Sequence, residues 1–529
     1  MIKNSKNNSR LPGDFFDVER YSLYWLLFII CFIIFLRAST LFATEHAFGI
    51  DGYYYAAQIK SFWAKGRFFS PDSSIVLPAM AYFSRLGNDI VFMNKIFVLL
   101  LNALLLSGAY LAGSRINKFS GLLLAAYYGY SSLVTQFSFE FVKNFGALVF
   151  FIFYLAFLLK AEKRKRDYLF ITAFLILGSL SHKLVAGISV LLAIVFLMHI
   201  VFTGHKERIV NFFKQRLWWV LGAMAFFVMG FAAAYIYLPN FIHLTDFERV
   251  GKALTFSPQA APFSYLKLRG YDLVSVVDTG IMVFIIGIFF YKYVSRYRLQ
   301  TKYKDKIKWD ILILVSLCLL LVAWFPFLKF NRFDMAYRLF LLSFIPVGFL
   351  GLSSIVIIPR FRPFVLFGLL ALGIWNNNKI ASEKKAGIDY GTISQITPLI
   401  NLPEDSLMIV HQGFDYYYCY AERKDAFHFL PEQKHEGRPI YRLAYGVSPE
   451  VYKKQLGKNA SEIQYLPGFY TLLPEKLWNA FLESLPEKER GKYRTWRNPY
   501  TSREGFLRRN DKYLKKETTI YKEVKKTGK

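Results

Sequence analysis

Cysteine and acidic residues are both scarce in this chain of 529 residues. It holds three cysteines, Cys31, Cys318 and Cys419, and two of them lie inside apolar runs. That number is too small for a disulfide framework, so the fold cannot depend on one. The cysteines and histidines also lack the spacing of a metal-binding motif. Asp and Glu together number 37 against 66 Lys and Arg, which gives a formal net charge of +29.

Apolar residues are abundant: 54% of the chain is hydrophobic and 19% is aromatic. Apolar runs of roughly 20 residues recur, which is the length that crosses a bilayer core of about 30 Å. Backbone groups in lipid must satisfy one another, so such runs are helical. The sequence therefore predicts an α-helical polytopic membrane protein with about 11 transmembrane helices (range roughly 9–13) and a C-terminal α/β domain. The predicted spans are residues 22–42, 91–111, 119–137, 144–159, 168–181, 184–202, 217–238, 273–291, 309–328, 339–358 and 364–375.

Lys and Arg in the short loops predict the orientation. Basic loops at 160–166, 205–216 and 292–308 fall on the same side as the N-terminal segment 1–20, and the positive-inside rule assigns that side to the cytoplasm. The first external loop, 43–90, then faces the periplasm. The anionic lipid that the basic loops face accounts for much of the net charge, so nucleic acid is not a predicted partner. We expect an integral protein of a bacterial inner membrane.

The chain divides into three predicted parts. Residues 1–20 form a cytoplasmic N-terminal segment and residues 21–375 a transmembrane domain. Charge rises sharply from Asn376 onward, and 376–529 is predicted to be a soluble domain on the extracytoplasmic side. Apolar and turn patterns in that domain predict α/β structure, with strands at 406–410 and 426–430 and helices at 414–422 and 474–485.

The stretch 49–66 is the most informative part of the sequence. Tyr55, Ile59 and Phe62 recur at helical spacing, which predicts a short amphipathic helix lying in the lipid headgroups and ending at Gly66. Asp51 begins it. The simplest interpretation of Asp51 is a helix N-cap worth about 1 kcal/mol; the alternative is a carboxylate that works at the membrane surface. Residues 415–418 (Asp-Tyr-Tyr-Tyr) are similar to residues 51–55 (Asp-Gly-Tyr-Tyr-Tyr) but lie in the soluble domain, and we interpret the likeness as coincidence.

Taken together, these features resemble the C-type glycosyltransferase superfamily (GT-C), which includes protein O-mannosyltransferases and aminoarabinose transferases. Those enzymes have many spans, a long first external loop with an acidic residue near its start, and often an external C-terminal domain. The resemblance covers roughly residues 20–375. The chain lacks the Trp-Trp-Asp-Tyr-Gly signature of an oligosaccharyltransferase, which argues against glycan transfer to asparagine. The segments that carry the resemblance are 49–66, 136–150 with Glu140 and Lys143, the turn Ser181-His182-Lys183, and 334–346 with Arg338.

The resemblance implies inverting sugar transfer from a polyprenyl-phosphate donor to an acceptor that is a lipid, a glycan or a protein. Such transfer needs a general base for the acceptor hydroxyl and cations for the leaving phosphate. Asp51 is the expected base, and Arg338 and Arg332 are the expected phosphate ligands because a guanidinium matches phosphate oxygens. The other candidates are Lys143, His182 and Lys183 for the donor phosphate, and Glu140, Tyr54, Tyr55 and Asp278 for the acceptor or for support of the site.

Other interpretations stay open at this point. The two arginines also suit helix ends at the headgroups, His182 and Lys183 suit an interfacial turn, and Glu140 with Lys143 suits a surface pair. Asp51 and Glu140 supply too few oxygens to assign a divalent metal, so the metal is left unknown and no cofactor is assigned. The rival functions are an O-antigen ligase or polymerase and a transporter of lipid-linked glycans.

Overall fold

The structure is a computed structural model of the chain. It describes residues 17–49, 51–68, 72, 74–160, 162, 164–183, 185–189, 192, 229, 254–256, 287, 315–320, 328–330, 342–354, 361–385, 390–403, 405–411, 413–421, 426–427, 437–468, 470–487 and 489–490. The chain divides into two compact units. We call Met1–Thr40, Ser70–Tyr82 and Ile96–Asn377 the helical unit, and Leu41–Phe69, Phe83–Lys95 and Asn378–Lys529 the α/β unit.

The described elements are mostly helices. In chain order the helices are α1 (Ser22–Leu41), α2 (Gly52–Lys65), α3 (Val76–Ser84), α4 (Ile90–Gly113), α5 (Lys118–Tyr130), α6 (Ser132–Glu140), α7 (Val142–Leu158), α8 (Lys165–Ser181), α9 (Phe344–Ser354), α10 (Arg362–Lys385), α11 (Tyr390–Ile396), α12 (Phe414–Tyr420), α13 (Pro449–Leu456) and α14 (Glu475–Ser484). The strands are β1 (Leu254–Phe256), β2 (Leu328–Phe330), β3 (Leu407–Ile409), β4 (Ala426–Phe427), β5 (Ile440–Tyr445), β6 (Gln464–Leu466) and β7 (Tyr470–Pro474).

Two of the described helices, α1 and α4, are long and apolar enough to cross a membrane, and α7 is a shorter apolar helix. The side chains of Leu23, Leu27 and Phe35 on α1 are more than half exposed, as expected for a face that lipid covers. The predicted spans 217–238 and 273–291 fall outside the described residues apart from one position each, and 184–202 and 309–328 are described only in part. The number of transmembrane helices therefore stays a prediction.

The predicted span 119–137 is wrong as a single helix. The structure has two helices there, α5 and α6, which are separated at Ser131. The end of α5 leaves carbonyl groups without helical partners, and such groups need donors inside an apolar unit. Arg37 on α1 donates to the Gly129 carbonyl at 2.9 Å, and Asn376 on α10 donates to the Tyr130 carbonyl at 3.0 Å. Donors on two distant helices thus stabilise a break that the continuous apolar pattern does not reveal.

We expect Arg37→Met to destabilise the helical unit, because the Gly129 carbonyl and the Asn377 side chain both lose their guanidinium partner. Arg37 is only 1% exposed, and an unsatisfied buried polar group costs about 1–3 kcal/mol. Thermal unfolding in detergent measures the effect as a lower Tm. Arg85→Met, at an exposed arginine of the α/β unit, is the control. An unchanged Tm for Arg37→Met would show that the break does not depend on this side chain.

The α/β unit contains a five-stranded mixed sheet in the order β4-β3-β5-β7-β6. β3 is parallel to β4 and β5, whereas β7 is antiparallel to β5 and β6. Tyr452, Leu473 and Phe481 lie in the core between the sheet and the helices that flank it. The α/β structure predicted for this region is confirmed: β3, α12, β4 and α14 lie at the predicted strands and helices.

The amphipathic helix predicted after Asp51 is also confirmed, as α2, and it belongs to the α/β unit. It ends at Gly66, whose φ of 66° is the left-handed conformation that glycine adopts without strain. Two residues of the predicted apolar face, Tyr55 and Ile59, are buried in protein, whereas Phe62 is partly exposed. The prediction that this face lies in the lipid headgroups is therefore wrong for Tyr55 and Ile59. The helix packs against α12.

Candidate active site

Asp51 occupies the residue just before α2, where the chain turns sharply into the helix. Its backbone carbonyl accepts the first helical hydrogen bond, from the Tyr55 N–H at 3.1 Å. A Cβ atom on Gly52 would lie 2.9 Å from the Cβ of Ala47, so the close approach of the preceding loop requires glycine there. The same loop contacts the helix through His46, whose Nδ1 lies 2.9 Å from the Tyr53 hydroxyl. The loop and the first turn of α2 thus fix the position of Asp51.

The carboxylate of Asp51 does not cap α2. Among the residues that the structure describes around this helix start, no backbone N–H of α2 donates to the Asp51 side chain. The backbone of Asp51 (φ −85°, ψ 1°) also differs from the extended conformation typical of a capping residue. A genuine cap occurs at α5, where the Asn117 side chain accepts from the Ser120 N–H at 2.7 Å. The capping interpretation of Asp51 is therefore not supported, and the residue is partly exposed.

The tyrosine runs 53–55 and 416–418 lie on α2 and α12, and their rings contact one another across the two helices. The rings of Tyr54 and Tyr416 meet edge to face with centroids 5.1 Å apart. Tyr53 packs in the same way on Tyr417, at 5.0 Å. Aromatic pairs in this geometry stabilise by about 0.5–1.5 kcal/mol beyond the area that they bury. Sequence reasoning interpreted the likeness of the two runs as coincidence because the second run lies in the predicted soluble domain.

Tyr53 and Tyr416 stay neutral at physiological pH. Burial raises the pKa of both phenols, and the negative charges of Asp415 and Asp51 raise the pKa of Tyr416 further. These two phenols therefore add hydrogen-bonding groups near Asp51 without adding negative charge. Tyr54 is partly exposed and its hydroxyl accepts from Gln58 at 2.8 Å, whereas Tyr55 is buried.

Lys143 lies in the first turn of α7 and forms an ion pair with Asp72. Both side chains are largely buried, at 21% and 12% exposure. Solvent therefore screens this ion pair less than it screens an exposed pair on a protein surface. Glu140, at the end of α6, is 7% exposed and accepts from Gln136 at 2.9 Å. The interpretation of Glu140 as part of a surface pair is therefore wrong. Asp72 was missed by sequence reasoning, because it sits in an irregular loop with no periodic pattern.

His182 follows the last residue of α8, and its backbone N–H donates to the Gly178 carbonyl at 3.2 Å. Lys183 comes next and is exposed. The loop that carries Asp72 is held against this turn, because the Ser74 hydroxyl donates to the Ser181 carbonyl at 2.6 Å. The structure thus brings Lys143 and the His182 turn to the same end of the helical unit.

Three predicted site residues, Asp278, Arg332 and Arg338, lie outside the described residues. Within the described part of the chain, no group of three His, Cys, Asp or Glu side chains is arranged to hold a metal ion.

Comparison with known proteins gives the fold but not a named family. No family model matches the chain, and no curated protein matches it. The chain is similar to the crystal structure of ArnT from Cupriavidus metallidurans bound to undecaprenyl phosphate, with a TM-score of 0.54 and 11% sequence identity. The similarity covers 85% of this chain and 98% of that chain. At this identity the similarity shows a shared fold alone, and it agrees with the fold that the resemblance to C-type glycosyltransferases implied.

Proposed function

We propose that this chain is a membrane glycosyltransferase that moves a sugar from a polyprenyl-phosphate donor to an acceptor on the extracytoplasmic side of the membrane. The fold similarity carries the proposal, since it extends over 85% of the chain and the similar protein was crystallised with undecaprenyl phosphate. Neither the ligase or polymerase class nor the transporter class has an observation in its favour among the described residues.

In the proposed reaction Asp51 is the general base. Its carboxylate removes the proton of the acceptor hydroxyl as that oxygen attacks the anomeric carbon, and the sugar–phosphate bond breaks on the opposite face. The configuration at the anomeric carbon is inverted, and the polyprenyl phosphate leaves with the bonding electrons. Two observations support this assignment. The Asp51 side chain does not cap α2, and the residue is partly exposed.

Cations are needed where the leaving phosphate gains charge. We assign this role to Lys143, Arg332 and Arg338, with His182 and Lys183 as further candidates. Lys143 supports the assignment best among the described residues, because it is a largely buried ammonium at a helix start. Its partner in this structure is Asp72, so a donor phosphate would compete with the Asp72 carboxylate for the same ammonium. Glu140 and Tyr54 stay candidates for contact with the acceptor or for support of the site.

Native mass spectrometry of the purified protein tests the donor class. We expect the protein to retain undecaprenyl phosphate and to release undecaprenol, which has the same hydrocarbon chain without the phosphate. We expect stronger retention of undecaprenyl phosphate because only this lipid makes electrostatic contacts through a phosphate. Equal retention of the two lipids would mean that only the hydrocarbon chain is recognised, and the proposed donor would be wrong.

A further inference from the structure

The first turn of α2 is held by several parts of the α/β unit. The helix α12 packs against it: Tyr416 contacts Tyr54, and Tyr417 contacts Tyr53. About two turns further along, the Lys60 ammonium donates to the Tyr420 carbonyl at the end of α12, at 2.9 Å. These contacts join two helices that lie far apart in the sequence.

The loop before this turn and α11 hold it as well. His46 reaches the Tyr53 hydroxyl, and the Tyr390 ring of α11 meets the Tyr53 ring edge to face at 4.6 Å. Tyr390 also contacts Tyr417 of α12, so these rings form one cluster around Tyr53, which is only 4% exposed. The backbone that carries Asp51 thus has little freedom to shift as long as this cluster is intact.

Within this arrangement Tyr416 is the aromatic residue of α12 that lies towards Asp51. It packs on Tyr54, which is three residues after Asp51 and so on the same face of the helix start. The negative charge of Asp51 also contributes to the raised pKa of Tyr416, which agrees with this arrangement. Tyr417 and Tyr420, by contrast, pack on Tyr53.

We propose that Tyr416 is a positioning residue for Asp51, and that α12 takes part in catalysis through it. The Tyr416 ring fixes the first turn of α2 through Tyr54, so the Asp51 carboxylate stays in the orientation that removes the acceptor's proton. This inference rests on the proposed function and on Asp51 as its base. A general base acts only within hydrogen-bonding distance of the proton, and a displacement of about 1 Å can cost roughly 10²-fold in rate.

The test compares sugar-transfer kinetics of Tyr416 variants in the full-length protein. We expect Tyr416→Ala to lower kcat about 10–100-fold with little change in the KM for the acceptor, because the base is misplaced while the acceptor still binds. Tyr416→Phe keeps the ring and should retain most of the activity. Tyr465→Ala removes a tyrosine of the same unit that is 37% exposed, and it serves as the matched control. Tyr416→Leu retains apolar volume and should show the same fall in kcat if Tyr416→Ala proves unstable.

A double-mutant cycle with Asp51 separates positioning from a general structural role. If Tyr416 acts through Asp51, Tyr416→Ala should change the residual rate of Asp51→Asn by less than about twofold. An equal fall in both backgrounds, or unchanged kcat for Tyr416→Ala and Tyr416→Leu, would overturn the inference. A fully active Asp51→Asn would instead remove Asp51 as the base, and absence of sugar transfer by the wild type would overturn the proposed function, so these failures are distinguishable.

Discussion

Asp51→Asn is expected to lower the rate of sugar transfer by about 10²–10⁴-fold, the usual contribution of a general base. Asparagine has nearly the same shape as aspartate and is an equally good capping residue, so a structural role at the start of α2 would survive the change. What disappears is the carboxylate that accepts the acceptor's proton. The rate of product formation in membrane vesicles, normalised to the amount of protein, measures the effect.

Asp89→Asn is the matched control for this prediction. Asp89 belongs to the same unit, and its side chain caps α4 by accepting from the Val91 and Phe92 N–H groups at 2.8 and 3.2 Å. Since asparagine caps as well as aspartate does, we expect this variant to keep wild-type activity. If Asp51→Asn and Asp89→Asn both keep wild-type activity, Asp51 is not the base.

Lys143→Met should lower kcat by roughly 10²-fold, because one group that stabilises charge in a transition state commonly contributes that much. Lys143→Arg keeps the positive charge and should lose less than about tenfold. The rates of both variants are measured with saturating acceptor, and their Tm values are compared with that of the wild type, because Lys143→Met leaves the Asp72 carboxylate without its partner.

Asp72→Asn distinguishes two roles for Lys143. The lysine either binds the donor phosphate or only supports the structure through its ion pair with Asp72. If Lys143 binds the donor phosphate, removing its competitor should leave the KM for the donor equal to or lower than that of the wild type. If the ion pair only holds the loop after α2 in place, Asp72→Asn and Lys143→Met should lose activity to the same extent. Equal losses would therefore remove Lys143 from the donor site.

Local patterns predicted local structure well. The spacing of Tyr55, Ile59 and Phe62 located α2, and a glycine with left-handed backbone ends it at Gly66. Alternating apolar and turn residues located the strand β3 and the helix α14 of the α/β unit. These signals lie within a few residues of the elements that they specify, so a single sequence is enough to reveal them.

Features that depend on distant residues were missed. The break at Ser131 is stabilised by Arg37 and Asn376, which are on other helices and leave the apolar pattern of 119–137 unchanged. The pairing of Lys143 with Asp72 joins residues 71 positions apart, and the tyrosine contacts between α2 and α12 span more than 360. In each case the partner is fixed by tertiary packing and not by a local period, so the sequence alone shows both residues without showing that they meet.

Mass spectrometry of the envelope glycans and glycolipids of a deletion strain tests the central claim most directly. The strain is complemented in parallel with the wild-type chain and with Asp51→Asn, at equal membrane levels. A glycosyltransferase with Asp51 as its base predicts that one sugar disappears on deletion, returns with the wild type and stays missing with Asp51→Asn. If Asp51→Asn restores every glycan, or if deletion removes none, the account is contradicted.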